Sequence, residues 1–163
     1  ARILETGKAD TPEAVRELLH VLANDTGLPG SDPQYGQGIL DAARLEAVGQ
    51  TGLHDLALAH LYPAIEESDG ASFPLYVSIQ NRGTDYLPGA TIELTVNGTP
   101  YFYRFSGMDA GAVQSIQVPV MESQLREDQP FSVSAEALAP DAFRDQRPGN
   151  NEAEISLTRT PGG

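Results

Sequence analysis

The hydrophobic pattern of this chain changes its period near Leu53, from a helical repeat to an alternation of apolar and polar residues. Alternation is typical of strands that bury one face and expose the other. About seven short alternating runs follow, with turn residues between them, and this spacing predicts a mainly β fold built as a two-sheet sandwich. The runs begin near Leu56, Phe73, Ile92, Tyr101, Val113, Phe131 and Glu154.

Asn97-Gly98 stands directly between two of these runs and is the strongest short signal for a β-hairpin. Alternation sends Tyr101, Tyr103 and Phe105 to one face of the second hairpin strand. These three aromatic residues are a candidate surface for a carbohydrate or peptide ligand. The alternative, which we favour from the sequence, is that they cover an apolar face of residues 12–22 that otherwise has no partner.

Residues 1–48 show a helical pattern instead. Thr11-Pro12-Glu13 is a good helix start, with a hydroxyl cap, a proline in the first turn and an acidic residue at the positive end of the helix dipole. Asp25-Thr26-Gly27 is interpreted as the turn that ends this helix. A second helix is predicted from Ile39 to Val48, and no strand is predicted before about Leu53.

The first predicted helix carries one apolar stripe at helical spacing. The stripe consists of Val15, Leu18, Leu19 and Leu22. Two short helices bury too little apolar surface to fold alone. The stripe must therefore pack on the sandwich, on a second copy of the chain, or on a part of the protein that precedes Ala1. We expect self-association through the stripe if it does not dock on the sandwich.

The sequence has 23 acidic and 10 basic residues, and its formal net charge of −13 argues against nucleic-acid binding. No apolar run approaches the ~20 residues of a membrane-spanning helix. Cysteine is absent, which excludes disulfides and thiolate chemistry.

No cofactor or metal site is predicted. The three histidines, His20, His54 and His60, are far apart and lack the spacing of a zinc pair, so we expect them at surface or half-buried positions. The acidic loops Glu66–Asp69 and Asp141–Asp145 are interpreted as solvated. Calcium is the alternative there, although neither loop has the pattern of an EF-hand.

A motif between the two predicted helices combines Pro-Gly, Tyr-Gly-x-Gly, an apolar pair and Asp-Ala-Ala at fixed spacing. Its residues are Pro29, Gly30, Asp32, Pro33, Tyr35, Gly36, Gly38 and Asp41. The motif resembles the closing segment of subtilisin-like serine proteases (subtilases), and the resemblance covers roughly residues 1–48. We expect structural roles for these residues, since glycine permits backbone conformations that other residues disfavour and Tyr35 can anchor the turn.

The resemblance implies that Ala1 to Leu4 end the helix that bears the catalytic serine, which would lie just upstream of Ala1. The sequence contains neither His-Gly-Thr/Ser-His nor Gly-Thr-Ser-Met-Ala. A triad needs a nucleophile, a base and an orienting acid, so this chain offers no catalytic residue and should be inactive alone. The missing upstream protease domain is the partner that the resemblance implies.

Five short motifs of the second region also occur in a characteristic order. They are Asp55–Leu58, Val77–Thr84, Val96–Gly98, Asp109–Gly111 and Asn150–Glu152. Together they resemble the bacterial cell-adhesion-related domain known as CARDB, over about residues 53–159. This resemblance implies an accessory module of a secreted or cell-surface bacterial protein.

We therefore predict a short two-helix segment at 1–48, a linker at 49–54 and a seven-stranded immunoglobulin-like β-sandwich at 55–160. The leading functional hypothesis is the C-terminal portion of a secreted subtilisin-like serine endopeptidase. Two alternatives remain: a non-enzymatic adhesion or ligand-binding module that recognises a surface protein, peptide or glycan, and a structural spacer that stabilises the protease.

Overall fold

The computed structural model describes residues 2–5, 7–127 and 129–159. The N-terminal region contains three helices and one small two-stranded sheet. These elements are α1 (Arg2–Glu5), α2 (Pro12–Leu22), β1 (Ala23–Asn24), β2 (Ile39–Leu40) and α3 (Ala42–Ala47).

Seven strands follow and form two antiparallel sheets. The strands are β3 (Leu56–Pro63), β4 (Ser72–Asn81), β5 (Ala90–Val96), β6 (Thr99–Phe105), β7 (Val113–Met121), β8 (Phe131–Leu138) and β9 (Glu152–Leu157). One sheet has the order β3-β4-β7, and the other has the order β6-β5-β8-β9. This arrangement confirms the predicted seven-stranded sandwich.

Apolar residues at alternate positions of the central strands build the sandwich core. On β4, for example, Leu75, Val77 and Ile79 are completely buried, and Ile92 and Leu94 on β5 are buried in the same cluster. One continuous hydrophobic cluster joins the inner faces of the two sheets. Burial of these side chains is the main stabilising term of the fold, at about 1.5–3 kcal/mol for each large aliphatic residue.

The hairpin between β5 and β6 turns at the predicted dipeptide. Asn97 and Gly98 both have positive φ, at 46° and 80°, as a two-residue turn of this hand requires. The turn pairs Val96 with Thr99 and so fixes the register of β6. Asn97 also accepts a hydrogen bond from the Ser132 backbone N–H through its side-chain oxygen.

The structure corrects the prediction of a continuous helix from Ile39. Ile39 and Leu40 are extended and pair with Asn24 and Ala23 as a short antiparallel ladder. The helix begins only at Ala42, because the Asp41 side chain caps it by accepting a hydrogen bond from the Ala43 N–H at 2.8 Å. The region before Leu53 therefore does contain a sheet.

A single 3₁₀ turn, Glu122–Gln124, follows β7. One strand boundary also differs from the prediction. The last strand starts at Glu152, two residues earlier than its predicted run. Ala1, Asp128 and Thr160, which belong to predicted segments, lie outside the described residues. No helix in the described part of the chain is long and apolar enough to cross a membrane.

Candidate functional site

The N-terminal region docks on the outer face of the three-stranded sheet. Alternation along β4 points Gln80 away from the sandwich core, yet only 2% of this residue is exposed. His60 on β3 is also buried, at 8% exposure. Both side chains are bonded to residues that follow α2. We call this contact the junction, and its side chains are Asp25, Arg44, His60 and Gln80.

Gln80 is the centre of the junction. Its Nε2 donates to the carbonyl oxygens of Ala23, at 2.8 Å, and Gly111, at 3.3 Å. Its Oε1 accepts from the Asp25 backbone N–H and from Arg82 Nε, each at 3.1 Å. A buried amide is costly unless its donors and acceptors are paired. Gln80 can therefore be buried because Ala23, Asp25 and Gly111 supply matching backbone groups and Arg82 supplies a side-chain donor.

Asp25 connects the loop after β1 to the sandwich. Its carboxylate contacts His60 Nε2 at 3.0 Å and accepts from the Gly30 N–H at 3.1 Å. The residue is only 2% exposed. The interpretation of Asp25 as a simple turn residue is therefore wrong, as is the expected surface or half-buried position of His60. Sequence spacing gave no signal for this pair, because 35 positions separate its members.

Arg44 holds the end of α2 against α3. Its guanidinium donates to the carbonyl oxygens of Val21, at 2.7 Å, and Ala23, at 3.0 Å, and to Asn24 Oδ1 at 3.1 Å. A cation at the end of a helix also interacts favourably with the helix dipole. Burial, assisted by the nearby charge of Arg82, lowers the pKa of Arg44 to about 10. The side chain thus keeps its charge at neutral pH.

A second group of charges borders the junction. Arg147 Nη1 lies 3.3 Å from Asp41 Oδ2, and Arg147 Nε lies 3.7 Å from Asp55 Oδ2. Burial pushes the pKa of Asp41 upward, but hydrogen bonds from Ala43, Asn24 and Arg147 outweigh burial and hold this pKa below its usual value. The cap of α3 is in this way connected to the loop before β9.

The motif that resembles the subtilase closing segment forms the loop between β1 and β2. Asp32 Oδ1 accepts from the backbone N–H groups of Gln34 and Tyr35, both at 2.7 Å. Gly30, Gly36 and Gly38 have positive φ. Pro29 and Pro33 lie in the same loop, and Asp41 caps α3. The contacts of Asp32 and Asp41 shape the backbone, and the structural roles expected for the motif as a whole stay a prediction.

The aromatic residues of β6 divide between core and surface. Tyr103 and Phe105 are half-buried and pack against the sandwich core, so they do not serve as the cover for residues 12–22 that we favoured. Tyr101 is 48% exposed, and Phe102, which points to the other face, is 61% exposed. Ligand binding by Tyr101, Tyr103 and Phe105 remains a prediction. Tyr101 is the main candidate for ligand contact, because it is the exposed member of this set.

The apolar stripe of α2 is partly covered. Leu22 is buried, whereas Val15, Leu18 and Leu19 are half-buried. Val21, next to Leu22, lies against Gly111 in the loop before β7, where an added Cβ would meet the Val21 backbone at 2.9 Å. The end of α2 thus docks on the sandwich, while self-association through the remaining stripe stays a prediction.

The histidines do not share a site, and no group of three or more His, Cys, Asp or Glu side chains in the described ranges is arranged to hold a metal ion. His54 packs edge-on against Phe143, with ring centroids 4.7 Å apart. In the acidic loops, Asp69 accepts hydrogen bonds from the backbone of Ala71 and Ser72, and Asp145 from Leu56 and Arg147. Calcium binding in these loops stays an alternative.

No protein-family model and no curated protein matches this chain. Comparison with solved structures shows that this chain has an immunoglobulin-like sandwich fold. Within that fold class, it is similar to CARDB domains. The crystal structure of the CARDB domain of the PF1109 protein from Pyrococcus furiosus, in complex with di-metal ions, has a TM-score of 0.53 and 15% identity, and covers 67% of this chain and 96% of that domain.

A domain of a candidate cell surface protein from Methanosarcina acetivorans is similar to the same extent. Its TM-score is 0.50 at 10% identity, and the alignment covers 67% of this chain and 94% of that domain. These identities are low, and they establish the fold alone. The chain therefore contains a CARDB-like sandwich.

Proposed function

We propose that this chain is the C-terminal portion of a secreted or cell-surface subtilisin-like serine endopeptidase. In this proposal residues 1–48 complete the catalytic domain and residues 55–160 form an accessory sandwich. Residues 49–54 are the linker between them. The observation that carries the proposal is an uncovered apolar surface on the closing motif. Ile39 and Leu40 on β2 are each 57% exposed, and Leu4 on α1 is 55% exposed.

Such exposure is unusual because consecutive strand residues point to opposite faces, so β2 exposes a large apolar side chain on each face. Exposed apolar residues of this size typically mark a surface that packs against another protein part. The motif residues around them are held in one loop conformation by the side chain of Asp32, the positive φ of Gly38 and the cap of α3. A catalytic domain preceding Ala1 is the partner that the motif's resemblance to subtilases implies.

The junction gives the sandwich its role in this proposal. Asp25 ties residues 1–48 to His60 on β3 and Gln80 on β4 through buried hydrogen bonds. Arg44 supports this contact from within residues 1–48 by donating to the Ala23 carbonyl oxygen. Such contacts would hold the sandwich in a fixed orientation on the protease, in contrast to a module on a flexible tether. We propose that the sandwich stabilises the closing segment and so the enzyme.

A second function is favoured by one observation. Tyr101 and Phe102 are both strongly exposed on β6, an edge strand of the four-stranded sheet. Exposed aromatic residues on an edge strand suit peptide or glycan recognition. The sandwich would then be an adhesion or ligand-binding module, with or without an attached protease.

The test is expression of this chain together with its upstream coding sequence, followed by a casein or fluorogenic-peptide assay. We expect a Gly-Thr-Ser motif ahead of Ala1 and peptidase activity that a serine-directed inhibitor removes. Replacing that serine with alanine is the matched control. Absence of the motif, or serine-type cleavage by residues 1–163 alone, would overturn the proposal.

A further inference from the structure

A groove of about 570 Å³ lies where the loop after β1 meets the end of β3. Its main side chains are Leu28, Asp32 and Tyr35 from the loop, and Tyr62 and Glu66 from the sandwich. We infer that this groove binds an arginine side chain of a protein partner. The inference concerns the chain by itself and does not depend on an attached protease.

Asp32 provides an unpaired acceptor at the groove. The residue is only 9% exposed. Its Oδ1 accepts two backbone hydrogen bonds, but its buried Oδ2 has no hydrogen-bond partner in the described part of the chain. A buried carboxylate oxygen without a donor costs free energy. A cationic donor at this point would remove that cost.

Gly27 keeps this oxygen and an aromatic ring together. A Cβ at Gly27 would lie 2.5 Å from Asp32 Oδ2 and 2.7 Å from Tyr35 Cδ2. Because Gly27 has no side chain, the carboxylate and the ring of Tyr35 share one wall of the groove. Tyr35 is 41% exposed, so its ring is accessible to a ligand.

The opposite wall repeats this pairing of a phenol with a carboxylate. The Tyr62 hydroxyl donates to Glu66 Oε1 at 2.5 Å. This hydrogen bond raises the pKa of Tyr62 above its usual value. Glu66 is exposed, and its charge lies at the rim of the groove.

Arginine fits this combination better than other cations. Its planar guanidinium stacks on aromatic rings and donates several hydrogen bonds to carboxylates. Calcium requires six to eight converging oxygens, and the groove offers two carboxylates, Asp32 and Glu66. The net charge of −13 also attracts a basic partner.

The experiment is a titration of the ¹⁵N-labelled chain with acetyl-Gly-Arg-Gly-amide, followed by two-dimensional NMR. The citrulline peptide, which has the same shape without the charge, is the matched ligand control. We expect the arginine peptide to shift amide signals of residues 26–35 and 62–66, and the citrulline peptide to shift none of them. Equal shifts with both peptides, or no shifts up to millimolar concentrations, would overturn the inference.

Three variants separate a specific site from general attraction to an acidic protein. Glu66→Gln should weaken binding about threefold, the effect of an exposed charge pair, and Tyr35→Leu should also weaken it about threefold through loss of ring stacking. Glu136→Gln removes the same charge from the sheet and should leave the affinity unchanged. The inference fails if Glu136→Gln and Glu66→Gln weaken binding equally. All three positions are exposed, so we expect the variants to fold.

Discussion

At the scale of single residues, two glycines of the same motif carry very different constraints. Gly38 has φ +111°, and a Cβ there would lie 2.2 Å from the Asn24 carbonyl oxygen, whereas Gly36 has φ +62° and open space around it. Gly38→Ala must therefore displace backbone. We predict a loss of about 2–3 kcal/mol in the free energy of unfolding, measured by urea unfolding followed by circular dichroism.

Gly36→Ala is the matched control for that prediction. A left-handed conformation costs a non-glycine residue about 1–2 kcal/mol without any clash. The difference between the two losses in unfolding free energy measures the cost of the contact between Gly38 and Asn24. Hydrogen exchange should accelerate at Ala23 and Asn24 in Gly38→Ala alone. Equal destabilisation by the two variants would show that close packing of β1 on β2 contributes nothing.

At the scale of elements, the outer face of the four-stranded sheet contains an unfavourable row of charges. Glu136 on β8 stands directly opposite Glu93 on β5 and Glu152 on β9. Like charges at opposed positions on neighbouring strands are destabilising. Glu136→Gln should raise the free energy of unfolding by about 0.5 kcal/mol at low salt, as measured by chemical denaturation.

The effect of Glu136→Gln should shrink as salt rises to 1 M, because the Debye length falls to about 3 Å. Glu127→Gln, an exposed charge outside the strands, is the control and should change stability little. A salt-independent gain at Glu136 would point to hydrogen bonding of the glutamine rather than relief of repulsion.

The strands were predictable because most of their length has one buried and one exposed face. These two faces produce an alternation of apolar and polar residues in the sequence. Ile92, Leu94 and Asn97-Gly98 specified β5 and its hairpin directly. The junction was not predictable for two reasons. Gln80 occupies an outward position of β4, which predicts solvent exposure. His60 has the same parity as the core residues Leu56 and Leu58, and only a register shift after Leu58 turns it outward. Their burial depends on β1, a two-residue strand too short to leave a periodic pattern.

At the scale of the whole molecule, the core and the junction differ in their physical character. Every member of the main hydrophobic cluster belongs to the sandwich. The N-terminal region, residues 1–48, contributes hydrogen bonds at the junction instead. The sandwich should therefore fold without the N-terminal region, while the N-terminal region depends on a partner surface.

The prediction is that a chain starting at residue 49 folds with all seven sandwich strands, but is less stable by on the order of 2 kcal/mol, since the junction's hydrogen bonds are lost. Residues 1–48 alone should be largely unstructured, because short helices without a packed face are marginal in water. Circular dichroism and two-dimensional NMR of both fragments measure this, and amide shifts in the truncated sandwich should concentrate around His60, Gln80 and Gly111. An unfolded 49–163 fragment would mean that residues 1–48 are part of the folding unit, and the proposed division into two regions would then be wrong.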